Sequence, residues 1–134
     1  DLNQNQLIAL AFYKEGLNPY NDVYYSFLNF YKIIELGQKG EQKRIWINKS
    51  ILELKNPAKT RIDEILKSNI KKSEDYLGEY IWKSCRCAIV HTGDSSKKII
   101  NPDSSKDKER MREDIVVIKS LAQKFIIDEL KVPC

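Results

Sequence analysis

The chain has 134 residues, enough for one ordinary domain and too few for two. Its 42% hydrophobic content supports a core, 31% charged residues give a polar surface, and no run of about 18 apolar residues could span a membrane. The balance of 23 Lys and Arg against 19 Asp and Glu leaves +4, which is compatible with a polyanionic partner but does not require one.

The first residues, DLNQNQLIALAF, have no basic flank and no small-residue cleavage site, so they do not read as a signal peptide. The missing initiator Met leads to the expectation that the single domain, 1–134, is a fragment of a longer chain or a processed one. Cys85, Cys87 and Cys134 make no disulfide framework, and Cys85 and Cys87 point to opposite sides of a helix. A reduced, cytoplasmic setting follows.

In chain order, the spacing predicts a first helix from Leu2 to about Glu15, with Leu7, Leu10, Ala11 and Lys14 at helical intervals. The break at Asn18-Pro19-Tyr20-Asn21-Asp22 leads into a second helix reaching Glu35 or Leu36 and stopping at Gly37. Tyr20, Tyr24, Phe27, Tyr31 and Ile34 share one face, widened by Val23, Phe30 and Ile33. Such a stripe is core, or else a base-stacking surface. A third helix over Glu41–Leu54 would use Ile45, Trp46, Ile51 and Leu52. Pro57 opens a short segment to Ser68 with Ile62, Ile65 and Leu66 inward. Its charges (Lys59, Arg61, Asp63, Glu64, Lys67, then Lys71 and Lys72) read as a solvated face, with RNA contact the alternative.

Ser73 is a good N-cap, with Glu74 and Asp75 suited to the first turn of a helix that runs to about His91. Thr92-Gly93 closes it, glycine being free to turn left-handed there. The long loop 93–106 precedes a last helix from about Asp107 to Leu130, with Met111, Ile115, Ile118, Ala122 and Phe125 as its buried stripe. About five helices and no convincing strand argue for an all-α antiparallel bundle.

The helix before that loop carries the only histidine. Leu77, Ile81 and Ala88 lie on one side with His91, and Trp82, Cys85 and Ile89 extend the apolar zone. Glu79, Lys83 and Arg86 form a narrow polar strip. A helix so nearly apolar all round is buried on more than one side, in a bundle or against a second subunit. Arg86 and His91 stand about 140° apart on an ideal helix. Imidazole can move protons between the oxygens of a phosphodiester, and guanidinium can hold its charge. RNA brings its own 2′-hydroxyl, so the pair could cleave it without a metal; a packed or carbonyl-capping histidine is the plainer reading.

Two rivals use Cys87 and His91, four residues apart. Zinc lacks a further Cys or His pair, and a nucleophilic dyad lacks a separate orienting element. The carboxylates Asp63/Glu64, Asp75/Glu79 and Glu109/Glu113/Asp114 read as solvated faces. There is no phosphate-cradling glycine loop, so no cofactor and no metal are expected.

The stretch RCAIVHTG, Arg86 to Gly93, resembles the Arg-x4–6-His signature of the HEPN superfamily, the higher eukaryote and prokaryote nucleotide-binding domains. FLNFYKIIELG (Phe27–Gly37), the late motif helix, NPDSS in the loop and DIVVIKSLAQKFIIDEL at the end are similar to the Apea-like and methylamine-utilisation MauJ-like subgroup. The resemblance covers the chain from about residue 20. It implies a mostly antiparallel bundle that dimerises through the motif helices and forms a composite, metal-independent endoribonuclease cleft. Arg86 would hold the scissile phosphate and His91 would be the general acid/base. Cys87 stands where the family has Asn or Asp in support of the site, and Glu35 falls where the subgroup has an acidic residue that could pair with Arg86. The implied partners are a second copy, RNA and a nucleotidyltransferase-type or other antitoxin, without a membrane, in defence, stress response or toxin–antitoxin systems. The same resemblance admits a non-catalytic module for dimerisation and nucleic-acid or nucleotide binding within a larger protein.

Overall fold

The computed structural model describes residues 1–68, 75–93 and 104–133. The expected cap at Ser73, Glu74, Lys71 and Lys72, positions 94–103 of the long loop, and Cys134 lie outside them. The described residues form six α-helices and no strand: α1 (Gln4–Gly16), α2 (Val23–Ile34), α3 (Glu41–Ser50), α4 (Ala58–Lys67), α5 (Tyr76–Thr92) and α6 (Ser104–Asp128). A single 3-10 turn, Ile51–Glu53, prolongs α3. The protein is therefore an all-α bundle, and the short segment after Pro57 is a helix in its own right.

Local chemistry sets the helix starts. Asn3 and Gln6 cap α1 reciprocally, each side chain accepting from the other's backbone N–H at 2.9 and 2.8 Å. Asp22 caps α2 by accepting from Tyr24 N at 2.9 Å. Because α2 begins only behind that cap, Tyr20 stays in the preceding turn, where its N–H donates to Asn18 Oδ1. Tyr20 is thus 95% exposed and not part of the aromatic stripe.

The rest of that stripe is core. Phe27, Phe30, Tyr31, Ile33 and Ile34 are all 1% exposed or less, each burial worth about 1.5–3 kcal/mol relative to leaving the side chain in water. They make α2 the central helix, packed against α1, α5 and α6.

In α3 the inward side chain is Ile47, joined by Ile51 from the 3-10 turn; Ile45 and Leu52 are 61% and 69% exposed. Ile45 lies about 160° around the helix from Ile47, so burying one turns the other to solvent. Trp46 lies edge-on to Phe125, 5.1 Å between centroids, and donates through Nε1 to Glu129 at 3.0 Å. The same phase change occurs in α1, where Ala9 is buried and Leu7 is exposed.

Paired contacts fix the directions. Gln6 Nε2 donates to Leu130 O at 2.7 Å, while Gln123 Nε2 donates to Tyr13 Oη near the other end of α1, so α1 and α6 are antiparallel. Helices α5 and α6 are antiparallel too, since His91 meets Asp107 and Tyr80 meets Asp114. At Gly78, α5 comes so close to α3 that an added Cβ would sit 2.7 Å from Asn48, whose Oδ1 accepts from Gly78 N. A larger residue there would have to push the Asn48 amide aside and break that bond.

The carboxylate Asp114 is fully buried rather than part of a solvated face. It accepts from Arg61 Nε and Tyr80 Oη, both at 2.7 Å. Arg61 also pairs with Glu113 at 2.8 Å and Glu64 at 3.1 Å, joining α4, α5 and α6 through one ionic knot. A buried carboxylate must be paired, and this one is.

Candidate functional site

Three helix ends converge on His91. The cap at Asp22 starts α2 so that Tyr24 falls in its first turn on the inward face. Lys108 Nζ reaches Asp22 Oδ2 at 3.0 Å and ties the start of α6 to the same place. Helix α5 ends there as well. Thr92 Oγ1 donates to Ala88 O at 2.9 Å, and Gly93 is extended (φ −70°, ψ −170°) rather than left-handed. The hydroxyl, not the glycine, closes this helix.

The imidazole of His91 lies flat on the Tyr24 ring, centroids 4.2 Å apart and planes 7° apart. Its Nε2 faces Asp107 Oδ2 at 3.9 Å, too far for a hydrogen bond and near enough for attraction once protonated. Cys87, one turn earlier on α5, completes the group: one ligand-capable atom from each of Cys87, His91 and Asp107 lies within 4.8 Å of the others. The His91 side chain keeps 24% of its surface open, so the ring is reachable from solvent and is not walled in by aliphatic neighbours.

The electrostatics mark the same spot. Burial, then the charges of Cys87 and Asp107, push the Tyr24 hydroxyl up to about 12, and Arg110 pulls the other way. Burial and then Asp107 likewise raise the Cys87 thiol against the pull of Arg110. Burial and Asp107 both favour the protonated thiol, which counts against a Cys/His nucleophilic dyad. Among the described residues the cation bearing on this cluster is Arg110, whose buried Nε has no hydrogen-bond partner among them.

Arg86 is elsewhere. It is exposed on the outward side of α5, beside Trp82, Ile89 and Val90, which are 39%, 52% and 77% exposed. Trp82 and Ile89 thus extend an outer apolar face rather than the core. Glu35 pairs with Lys43 at 2.9 Å instead of Arg86, and Arg86 has no ion pair among the described residues. Lys43 lies over the rings of Tyr31 and Trp82, at 4.9 and 5.6 Å. These side chains, with Arg44, Ile47 and Gly78, line a cleft of about 340 Å³ on the Trp82 side of α5.

Of the expected site residues, then, Cys87 and His91 come together, while Arg86 and Glu35 stand apart from them. Tyr24, Asp107 and Arg110 join the site unannounced. Tyr24 was visible only as one ring of an aromatic stripe. Asp107 and Arg110 lie in the first turns of another helix, beyond a long loop, where no local spacing connects them to His91.

No curated protein and no solved structure matches the chain. The sequence profile of the family described as methylamine utilization protein MauJ does match, over residues 9–127, and so takes in every residue of both the His91 cluster and the Arg86 face. The chain belongs to the MauJ family.

Proposed function

We propose that this chain is a HEPN-type, metal-independent endoribonuclease domain that works as a homodimer joined through α5. The observation that carries the reading is the His91 ring, open on one side, stacked on Tyr24 and backed by the Asp107 carboxylate. A carboxylate behind an imidazole steadies the imidazolium formed when the ring accepts a proton. In the proposed reaction, His91 takes the proton of a ribose 2′-hydroxyl, which attacks the adjacent phosphorus. The 5′-oxygen leaves with a proton from the imidazolium of the second copy. Guanidinium groups hold the phosphate as its charge grows.

Arg86 and His91 occupy different sides of one α5, which favours a cleft that draws Arg86 from one copy and His91 from the other. The apolar surface around Arg86, formed by Trp82, Ile89 and Val90, suits a second copy of the helix. The adjoining cleft offers the Trp82 ring with Lys43 and Arg44, a mixture of ring and cations that single-stranded RNA favours.

RNA cleavage in EDTA tests this. Wild-type protein is expected to cut, with His91→Ala losing about 10²–10⁴-fold and Arg86→Ala about 10²–10³-fold. Absent wild-type cleavage, rates unchanged in both variants, or a strict monomer by light scattering would reject the enzyme.

A second reading has its own support in the separation of Arg86 from His91: a non-catalytic module for dimerisation and nucleic-acid or nucleotide binding within a larger protein. It expects salt-sensitive RNA binding without cleavage. A setting in defence, stress response or a toxin–antitoxin pair in the cytoplasm, with a nucleotidyltransferase-type or other antitoxin, belongs to the enzyme reading.

A further inference from the structure

We propose that Cys87, His91 and Asp107 form a zinc-binding site whose occupancy withdraws the His91 imidazole from proton transfer. The three donors are a thiol, an imidazole and a carboxylate, which are the ligand types zinc accepts. They converge without bonding to one another: the nearest approach between His91 and Asp107 is 3.9 Å, and all three ligand atoms lie within 4.8 Å. Donor atoms around a tetrahedral zinc stand roughly 3.3–3.8 Å apart, given metal–ligand bonds of about 2.0–2.3 Å. Closing the cluster onto an ion therefore needs movements of about 1 Å, within the reach of side-chain rotation.

The scaffold favours that closure. Cys87 and His91 are one helical turn apart on α5, so their spacing is fixed by the backbone. Asp107 is brought across by α6, whose start is pinned through Lys108 to Asp22. Tyr24 holds the imidazole plane from behind. Thiolate and carboxylate together cancel the charge of Zn²⁺, and Arg110, the nearby cation, is the opposing influence. Three protein ligands leave the fourth position to water, as in an open zinc site. Binding releases the thiol proton of Cys87 to solvent and ties up a lone pair of His91, so metal and proton compete for one ring.

The proposal of the site is independent of RNA cleavage; its regulatory consequence rests on the nuclease reading. The test is cobalt titration of the intact, metal-stripped protein, followed by zinc competition against a chromophoric chelator. One equivalent per chain, with a thiolate-to-cobalt charge-transfer band and intense visible d–d bands, is expected. Cys87→Ser should abolish the charge-transfer band, and Asp107→Asn should weaken zinc on the order of a hundredfold. Cys85→Ala should retain both signals, since Cys85 is buried away from the cluster. Circular dichroism establishes that each variant is folded. Absence of the band in the wild type, or equal zinc affinity in wild type, Cys87→Ser and Asp107→Asn, overturns the site. If RNA is cleaved, zinc is expected to suppress cleavage and EDTA to restore it; cleavage indifferent to a bound zinc overturns the regulatory consequence alone. A chain that never cleaves RNA yet gives the cobalt spectrum leaves the metal site standing and rejects only the nuclease.

Discussion

Asp107 and Asp114 are two turns apart on α6 and, at about 20° of separation, share one face of it. Both meet α5, yet they are used in opposite ways. Asp114 is fully buried and held by short hydrogen bonds from Arg61 and Tyr80. Asp107 keeps 42% of its side chain exposed and faces His91 at 3.9 Å without a bond. The difference lies in what surrounds them. Helix α4 crosses α6 beside Asp114 and supplies Arg61, whereas Asp107 sits near the start of α6, beside the ends of α2 and α5. One carboxylate has its whole valence spent on the fold; the other has some left for chemistry.

The largest expected effect comes from breaking the closed end. Asp114→Asn removes the buried negative charge and leaves Arg61 to its half-exposed ionic partners Glu64 and Glu113, at about 3–5 kcal/mol. Urea unfolding should show this as a lower midpoint with an unchanged slope. Replacing Asp107 in the same assay should change stability by less than about 1 kcal/mol.

Tyr80→Phe sharpens the contrast at a smaller scale. It removes the hydroxyl that donates to Asp114, at about 1–3 kcal/mol. It also has a pH signature. Burial and then the Asp114 charge raise the Tyr80 hydroxyl well above its ordinary value. A tyrosine that holds its proton more tightly when folded contributes full stability below the free pKa of about 10 and loses it as pH rises toward the folded value. Wild-type stability should therefore fall above pH 10 or so, by up to about 1.4 kcal/mol per pH unit for this one group. In Tyr80→Phe that share of the slope should vanish. The part due to Tyr31, which burial and then Cys85 push up to about 12, should persist.

The same comparison explains what could be read from the sequence. Helix identity was legible because apolar spacing is local: Phe27, Tyr31 and Ile34 lie on the core as expected, as do Met111, Ile118, Ala122 and Phe125. Phase was less legible. Ile45 and Leu52 share one face of a regular helix, but the core takes another, through Ile47 and Ile51. Charges misled wherever their partner was distant in sequence. Asp114 lies 53 residues from Arg61, so nothing nearby distinguishes it from its solvated neighbours. At the candidate site, Cys87 and His91 share a helix and were visible as a pair, whereas Tyr24 and Asp107 reach them only through tertiary packing. The outward turn of Arg86 was foreseeable from its angle to His91; so apolar a helix left two readings for Trp82 and Ile89, and their exposure goes against burial inside their own bundle.

The smallest effect bears most directly on the open end. A double-mutant cycle on His91 and Asp107, by urea unfolding of His91→Ala, Asp107→Ala and the pair, should return a coupling below about 1 kcal/mol. The matching cycle on Arg61 and Asp114 should return several times that, because their pair is desolvated and hydrogen-bonded. A large coupling at His91 would mean that its carboxylate is a structural strut like Asp114, and the site would lose its claim to chemistry. A small one fits two side chains brought close by the fold yet left unbonded, their polar atoms still available to a proton, a phosphate oxygen or a metal ion.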